Sequence, residues 1–155
     1  MRWSRRSTDR LGCDERGSAS LEFIVAGLLL LVPLVYLVLT VSAVQGASLA
    51  VEGAARQASR VFVQADSPAE ASAAAARAVE VTLADYGLDA ADATVAISCR
   101  PNPSACLTRR GFVTVTVRVS VPLPLAPPVL DVDVPAGVSV QSSSTEQVSR
   151  FAGAR

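Results

Sequence analysis

The chain opens polar, turns apolar without interruption from Phe23 to Val44, and then settles into patterns whose period changes from stretch to stretch. The apolar run carries no charged residue. At about 1.5 Å rise per residue it predicts a helix of roughly 33 Å, enough for the ~30 Å hydrocarbon core of a bilayer. Pro33 falls inside it and removes one backbone donor, which neighbouring groups in membrane helices can compensate. Glu22 stands at the lip of the run, and a carboxylate deep in lipid costs about 2.5–3.5 kcal/mol on insertion scales, so it needs an interface or a partner.

Beyond Val44 the helical period persists but becomes one-sided. Ala47, Val51, Ala54, Ala58 and Val61 step by four and three as a heptad-like stripe, while Glu52, Arg56 and Arg60 form a solvated line on another face. The helix is expected to reach Gln64. Two occupants suit the stripe equally, the chain's own outer domain or a protein partner. Small residues at Ala43, Gly46, Ala47, Ala50, Gly53, Ala54 and Ala58 permit close helix contact.

Asp66-Ser67-Pro68-Ala69-Glu70 restarts a helix, with Ser67 as cap, Pro68 in the first position and Glu70 completing a capping box. That helix is expected to bury Ala69, Ala73, Ala76, Val79, Leu83 and Tyr86 and to stop at Gly87. From Thr94 the period becomes two. Val95, Ile97 and Cys99 share one face of a short strand, and Val113, Val115, Val117, Val119 and Val121 alternate with polar residues along a longer one. Pro122, Pro124, Pro127 and Pro128 then favour an extended connector. Val138 and Val140 begin a third strand that runs into Ser142-Ser143-Ser144-Thr145, and the chain is expected to fray from Ser149.

These elements define an α+β chain: a long N-terminal transmembrane helix continuing as an amphipathic helix, then a second helix and a small antiparallel β-sheet head. The expected segments are 1–17, a basic cytoplasmic leader; 18–44, the transmembrane helix; 45–90, an extracytoplasmic helical stalk; 91–149, a small β domain; and 150–155, a tail. Arg2, Arg5, Arg6, Arg10 and Arg16 precede the span, which places the N-terminus inside the cytoplasmic membrane and the C-terminal domain outside. Val41-Ser42-Ala43 offers small residues for an alternative signal-type cleavage, although the apolar run exceeds a signal h-region. Leu11-Gly12-Cys13 mimics a lipoprotein signal end, but no apolar stretch precedes it.

A length of 155 residues leaves room for one small domain outside the membrane. Zero formal net charge and few aromatics argue against nucleic acid as a partner. Every basic residue is Arg, and the lack of His removes the commonest general base and metal ligand. Cys99 and Cys106 flank Arg100-Pro101-Asn102-Pro103-Ser104-Ala105 beyond the span, where an oxidising compartment favours a disulfide worth roughly 2.5 kcal/mol by loop entropy, less what the prolines already restrict. A metal is the competing reading, for which two thiols are too few ligands. No Ser has a His partner and no phosphate loop is present, so no catalytic residue, cofactor, metal or small-molecule substrate is expected.

Gly17 followed five residues later by Glu22, at the mouth of an apolar helix, looks like the processing site of type IV pilin-like proteins. Arg16-Gly17-Ser18-Ala19-Ser20-Leu21-Glu22-Phe23, Leu31-Val32-Pro33-Leu34-Val35-Tyr36 and Val51-Glu52-Gly53-Ala54-Ala55-Arg56 together resemble the TadE-like family, pseudopilins of the tight-adherence (Flp) pilus machinery. The likeness covers about residues 16–63. It implies a prepilin peptidase cutting between Gly17 and Ser18, assembly contacts through Glu22, and other pilins or pseudopilins of the same machinery as partners. Ser18 departs from the Phe or Met usual as the first mature pilin residue. A Glu22 that merely reaches the headgroup layer of a signal anchor, carrying a surface binding domain unrelated to pili, is the alternative.

Overall fold

A computed structural model of the protein describes residues 18–122 and 137–152. The chain divides into two compact units, Met1–Leu37 and Val38–Arg155. The described part of the first unit is helix throughout, with Leu21, Phe23, Ile24, Leu29 and Leu30 all exposed, Phe23 at 80%. This is the start of α1, Ser18–Gln64, which continues as helix through Pro33 and ends at the residue the periodicity indicated. Near the N-terminus, α1 is long and apolar enough to cross a membrane, and none of its apolar window is covered by the rest of the chain.

In the second unit, α1 is followed by α2, Pro68–Ala84, a 3-10 turn at Ala90–Asp92, and three strands: β1, Ala93–Arg100; β2, Phe112–Pro122; and β3, Gly137–Gln147. The strands form one antiparallel meander in the order β1-β2-β3. The fold is therefore α+β, with the two helices and the sheet expected from the pattern. Pro124, Pro127 and Pro128 lie outside the described residues.

Local chemistry explains each boundary. Ser67 caps α2, its Oγ accepting from the Glu70 amide at 3.2 Å, with Pro68 in the first turn where its missing N–H costs nothing. Gly87 takes a left-handed φ of 70° while its amide donates to Ala84 and the Leu88 amide donates to Leu83, a Schellman closure in which Leu88 packs back toward the core. Asp89 accepts from the Ala91 amide at 2.9 Å and opens the 3-10 turn that feeds β1. At the other end of the sheet, a β-carbon on Gly111 would lie 2.8 Å from the Thr108 carbonyl, so this turn requires glycine.

The core is built on the central strand. Val113, Val115, Val117 and Val119 of β2 are buried in one cluster with Ala50, Val51, Ala54, Ala55, Ala58 and Phe62 of α1, and Val121 is buried beyond it. From α2 come Ala71, Ala75, Val79 and Leu83. This corrects the expected face of α2. Ala69, Ala73, Ala76 and Tyr86 are exposed, and the buried row steps back from Leu83 by fours. An alanine-rich helix gives little contrast between its faces, so the few large residues and the steepness of the row decide which side is covered. The alanines let the helices approach one another closely: a β-carbon at Gly53 would touch Thr82 Cγ2 at 3.5 Å.

Of the stripe, Ala47, Val51, Ala54 and Ala58 are buried in the chain itself and Val61 is half-buried, so the chain's own domain occupies it. The latter half of α1, α2 and the sheet share one core, so the helices of residues 45–90 do not stand apart from the β domain. Val95 and Ile97 do share the covered side of β1 with Cys99, pairing with Val117, Val115 and Val113. As edge residues they remain 42% and 37% exposed, whereas Cys99 is buried. The opposite face of the sheet is polar, with Thr114 and Thr145 hydroxyls 2.8 Å apart and Arg118 Nε donating to Gln141 at 3.0 Å.

Candidate functional site

The residues singled out by sequence fall in three places. Gly17 lies outside the described residues, and Ser18 is the first residue of α1. Glu22 follows one turn later, exposed, amid the exposed side chains of Leu21, Phe23, Ile24 and Val25. No described residue forms a hydrogen bond or ion pair with it; the one ion pair among the described residues joins Arg56 to Glu52 along α1. A carboxylate on an apolar helix surface can end in three ways: it reaches water, it is protonated, or it meets a positive group from another molecule.

Cys99 and Cys106 are joined by a disulfide, with Cα atoms 5.1 Å apart. Cys99 is the penultimate residue of β1 and is buried beside Val113, while Cys106 sits in the loop before β2. The bridge therefore ties the loop back to β1 rather than strand to strand. Asn102 orders the middle of this loop by accepting from the Ser104 amide at 3.2 Å and the Ser104 hydroxyl at 2.8 Å. With both sulfurs engaged, these thiols hold the loop and offer no metal ligand. Among the described residues no three His, Cys, Asp or Glu side chains gather as a metal site.

The structure also gathers charges that the sequence scatters. Arg100 ends β1, Arg109 and Arg110 close the β1–β2 loop, and Arg150 lies in the turn after β3. The segments are knitted together: the Arg110 amide donates to Val148, the Val148 amide donates to Gly111, Gln147 Nε2 donates to the Arg110 carbonyl, and Arg109 Nε donates to Ala152 at 2.8 Å. Residues 149–152, expected to fray, thus form a turn held against the β1–β2 loop. Phe112 and Phe151 are exposed at this loop end, and the Arg150 guanidinium stacks 4.7 Å above the Phe151 ring. Only the Arg109-Arg110 pair marked this cluster in the sequence; the other members are brought in by strand register.

At the opposite end of the sheet, where Ala93 pairs with Val119, the chain carries Glu80, Asp85, Asp89 and Asp92. An open depression of about 370 Å³ is lined there by Glu80, Ala84, Gly87, Leu88, Asp89 and Ala90. No protein-family model, curated protein or solved structure matches the chain.

Proposed function

We propose that the chain is a non-enzymatic TadE-like pseudopilin, a single-pass component of tight-adherence (Flp) pilus assembly whose leader is removed after Gly17. The observation that carries this reading is Glu22, an acid with no partner among the described residues, on the exposed apolar surface of α1. Cleavage before Ser18 creates an amine four residues from that carboxylate, and in an assembly the amine of one subunit answers the acid of its neighbour. Neither charge is then left alone in a low-dielectric contact.

The arginine-rich leader supports an N-terminus on the cytoplasmic side, within reach of a prepilin peptidase at that membrane face, and a C-terminal domain outside. The exposure of the large apolar side chains of α1 from Leu21 to Leu39 supports a membrane or neighbouring helices as its surroundings. The disulfide supports an oxidising location for the second unit.

Intact mass of the membrane-extracted protein tests the reading. The wild-type chain should lack residues 1–17, and Gly17→Leu should retain them, because a side chain at the scissile position blocks the narrow peptidase cleft. A wild-type chain that keeps its arginine-bearing leader in a host with a working prepilin peptidase leaves a signal-anchored surface domain as the function.

A further inference from the structure

β1 is an edge strand without the usual protection. Its eight residues pair with β2 in unbroken register from Ala93 to Arg100, and among the described residues no strand pairs with its other side. Edge strands are ordinarily blunted by proline, by a bulge or by a charge pointing toward the core. β1 contains no proline and no bulge, and its one charge, Arg100, lies on the uncovered side with Phe112. On the covered side Val95 and Ile97 remain 42% and 37% exposed, so an apolar strip runs beside the unpaired main chain. β3, the opposite edge, turns polar on that side from Ser142 to Glu146. Two charges frame β1: Asp92 immediately precedes it and Arg100 ends it, and neither takes part in an ion pair among the described residues.

We propose that the free edge of β1 receives an extended segment of another protein as a fourth, antiparallel strand. Unpaired N–H and C=O groups in β geometry are matched residue for residue only by a second extended backbone, and antiparallel pairing is the more stable arrangement. Apolar residues on the segment, placed opposite Val95 and Ile97, cover the exposed strip. Antiparallel pairing also orders the charges. An acid opposite Arg100 comes first, and the two apolar residues and a base follow at the spacings that separate Ile97, Val95 and Asp92 from Arg100.

β1 itself, from Asp92 to Arg100, fits this description when Ala96 is set opposite Ala96. A second copy is nevertheless excluded as the occupant. The two-fold axis of such a pair stands perpendicular to the sheet and reverses every direction within it. Because α1 packs against the sheet, the two α1 helices would leave the pair in opposite directions and could not enter one membrane. That exclusion rests on the membrane reading of α1, whereas the strand addition itself uses neither the span nor Gly17 nor Glu22.

Fluorescence anisotropy on the full-length chain in lipid nanodiscs tests the proposal, with a labelled peptide copying Asp92–Arg100 with Cys99→Ser as the probe. The peptide should bind saturably. Of two peptides N-methylated on alternate amides, one should bind as the parent does and the other should fail, since only every second amide of a strand faces a given neighbour. Ile97→Lys in the chain should weaken binding at least about tenfold, and Ser143→Lys on β3 should leave it unchanged. Arg100→Glu should weaken it too, and arginine in place of the peptide's first residue should restore it. Unchanged circular dichroism and an intact Cys99–Cys106 bridge by mass show that each variant is folded. In a Cys13→Ser background, Ala96→Cys chains sharing a bilayer should form no disulfide-linked dimer. Absence of binding, equal loss with both methylated peptides, or equal effects of Ile97→Lys and Ser143→Lys overturns the proposal, and an Ala96→Cys dimer overturns it in favour of a second copy. A chain that fails to insert in nanodiscs counts against the span alone, and the same peptides then read strand addition in detergent.

Discussion

Ser59 of α1 and Ser144 of β3, 85 residues apart in sequence, meet hydroxyl to hydroxyl at 3.0 Å where helix crosses sheet. Ser59 is fully buried, the one buried polar side chain among the described residues, and its hydroxyl also donates to the Arg56 carbonyl at 2.9 Å. A buried hydroxyl is tolerable only when bonded, and here every buried side-chain oxygen and nitrogen described has a partner. The pair fixes how α1 is turned about its axis over a sheet whose other contacts are interchangeable alanines and valines.

Ser59→Ala should therefore destabilise the second unit by about 1 kcal/mol, the net worth of one such bond. Ser144→Ala alone should cost more than it does in the Ser59→Ala background, because it leaves the buried Ser59 hydroxyl with the Arg56 carbonyl as its one remaining partner. A double-mutant cycle on chemical denaturation, followed by circular dichroism, reads the coupling. Strictly additive losses would show that the two hydroxyls do not depend on each other.

The buried row of α2 gives a second prediction. Ala75 is fully covered and Ala73 faces solvent. Ala75→Leu forces extra carbon into a closed layer and should cost about 1–3 kcal/mol. Ala73→Leu, which the sequence periodicity alone would have placed inside, should change stability by no more than about 0.5 kcal/mol. Equal effects at the two positions would contradict the register of α2 described above.

Reducing the Cys99–Cys106 bridge, or replacing both residues by Ala, should lower stability by at most about 2.5 kcal/mol. The loss should be concentrated in the β1–β2 loop, since Cys106 lies in that loop and β2 remains paired on both sides. Hydrogen exchange checks this: faster exchange should be confined to residues 100–111, with the Val115 and Val117 amides still protected. Global loss of protection would mean that the bridge holds the sheet together.

These three cases show where the sequence was informative. The ends of α1 and α2, the three strands and the bridge follow from local chemistry: caps at Ser67 and Gly87, strict alternation from Val113 to Val121, and two cysteines spanning a proline-rich turn. The covered face of α2 does not, because alanine occupies both sides and only tertiary contact distinguishes them. The burial of Ser59 is hidden for the opposite reason, since a lone serine in a helix gives no sign that another serine waits across the sheet. The half-exposure of Val95 and Ile97 depends on β1 being an edge, and strand order is not written in periodicity. At the candidate site, Gly17 and Glu22 are legible as a spacing, whereas the arginine end exists only after the strands pair.

Glu22 supplies the prediction on which the proposed function turns. Two substitutions separate charge from mere polarity. Glu22→Leu removes the acid and extends the apolar surface, so membrane insertion should be no worse and the second unit should keep its disulfide and circular dichroism. Removal of one partner from a buried ion pair typically costs about 3–5 kcal/mol, so association with other pilin-type subunits should fall at least a hundredfold in co-purification. Glu22→Gln keeps the shape and the hydrogen-bonding oxygen but abolishes the charge. Where Glu22 answers a neighbour's amine, Gln should fail as Leu does, because an amide cannot neutralise an ammonium in low dielectric. Where Glu22 only reaches the headgroup layer, Gln should behave as wild type and Leu should alter the depth of α1 without affecting association. Wild-type co-purification of both variants would remove the assembly role from this residue, while leader removal after Gly17, measured by mass in the same samples, would be judged on its own.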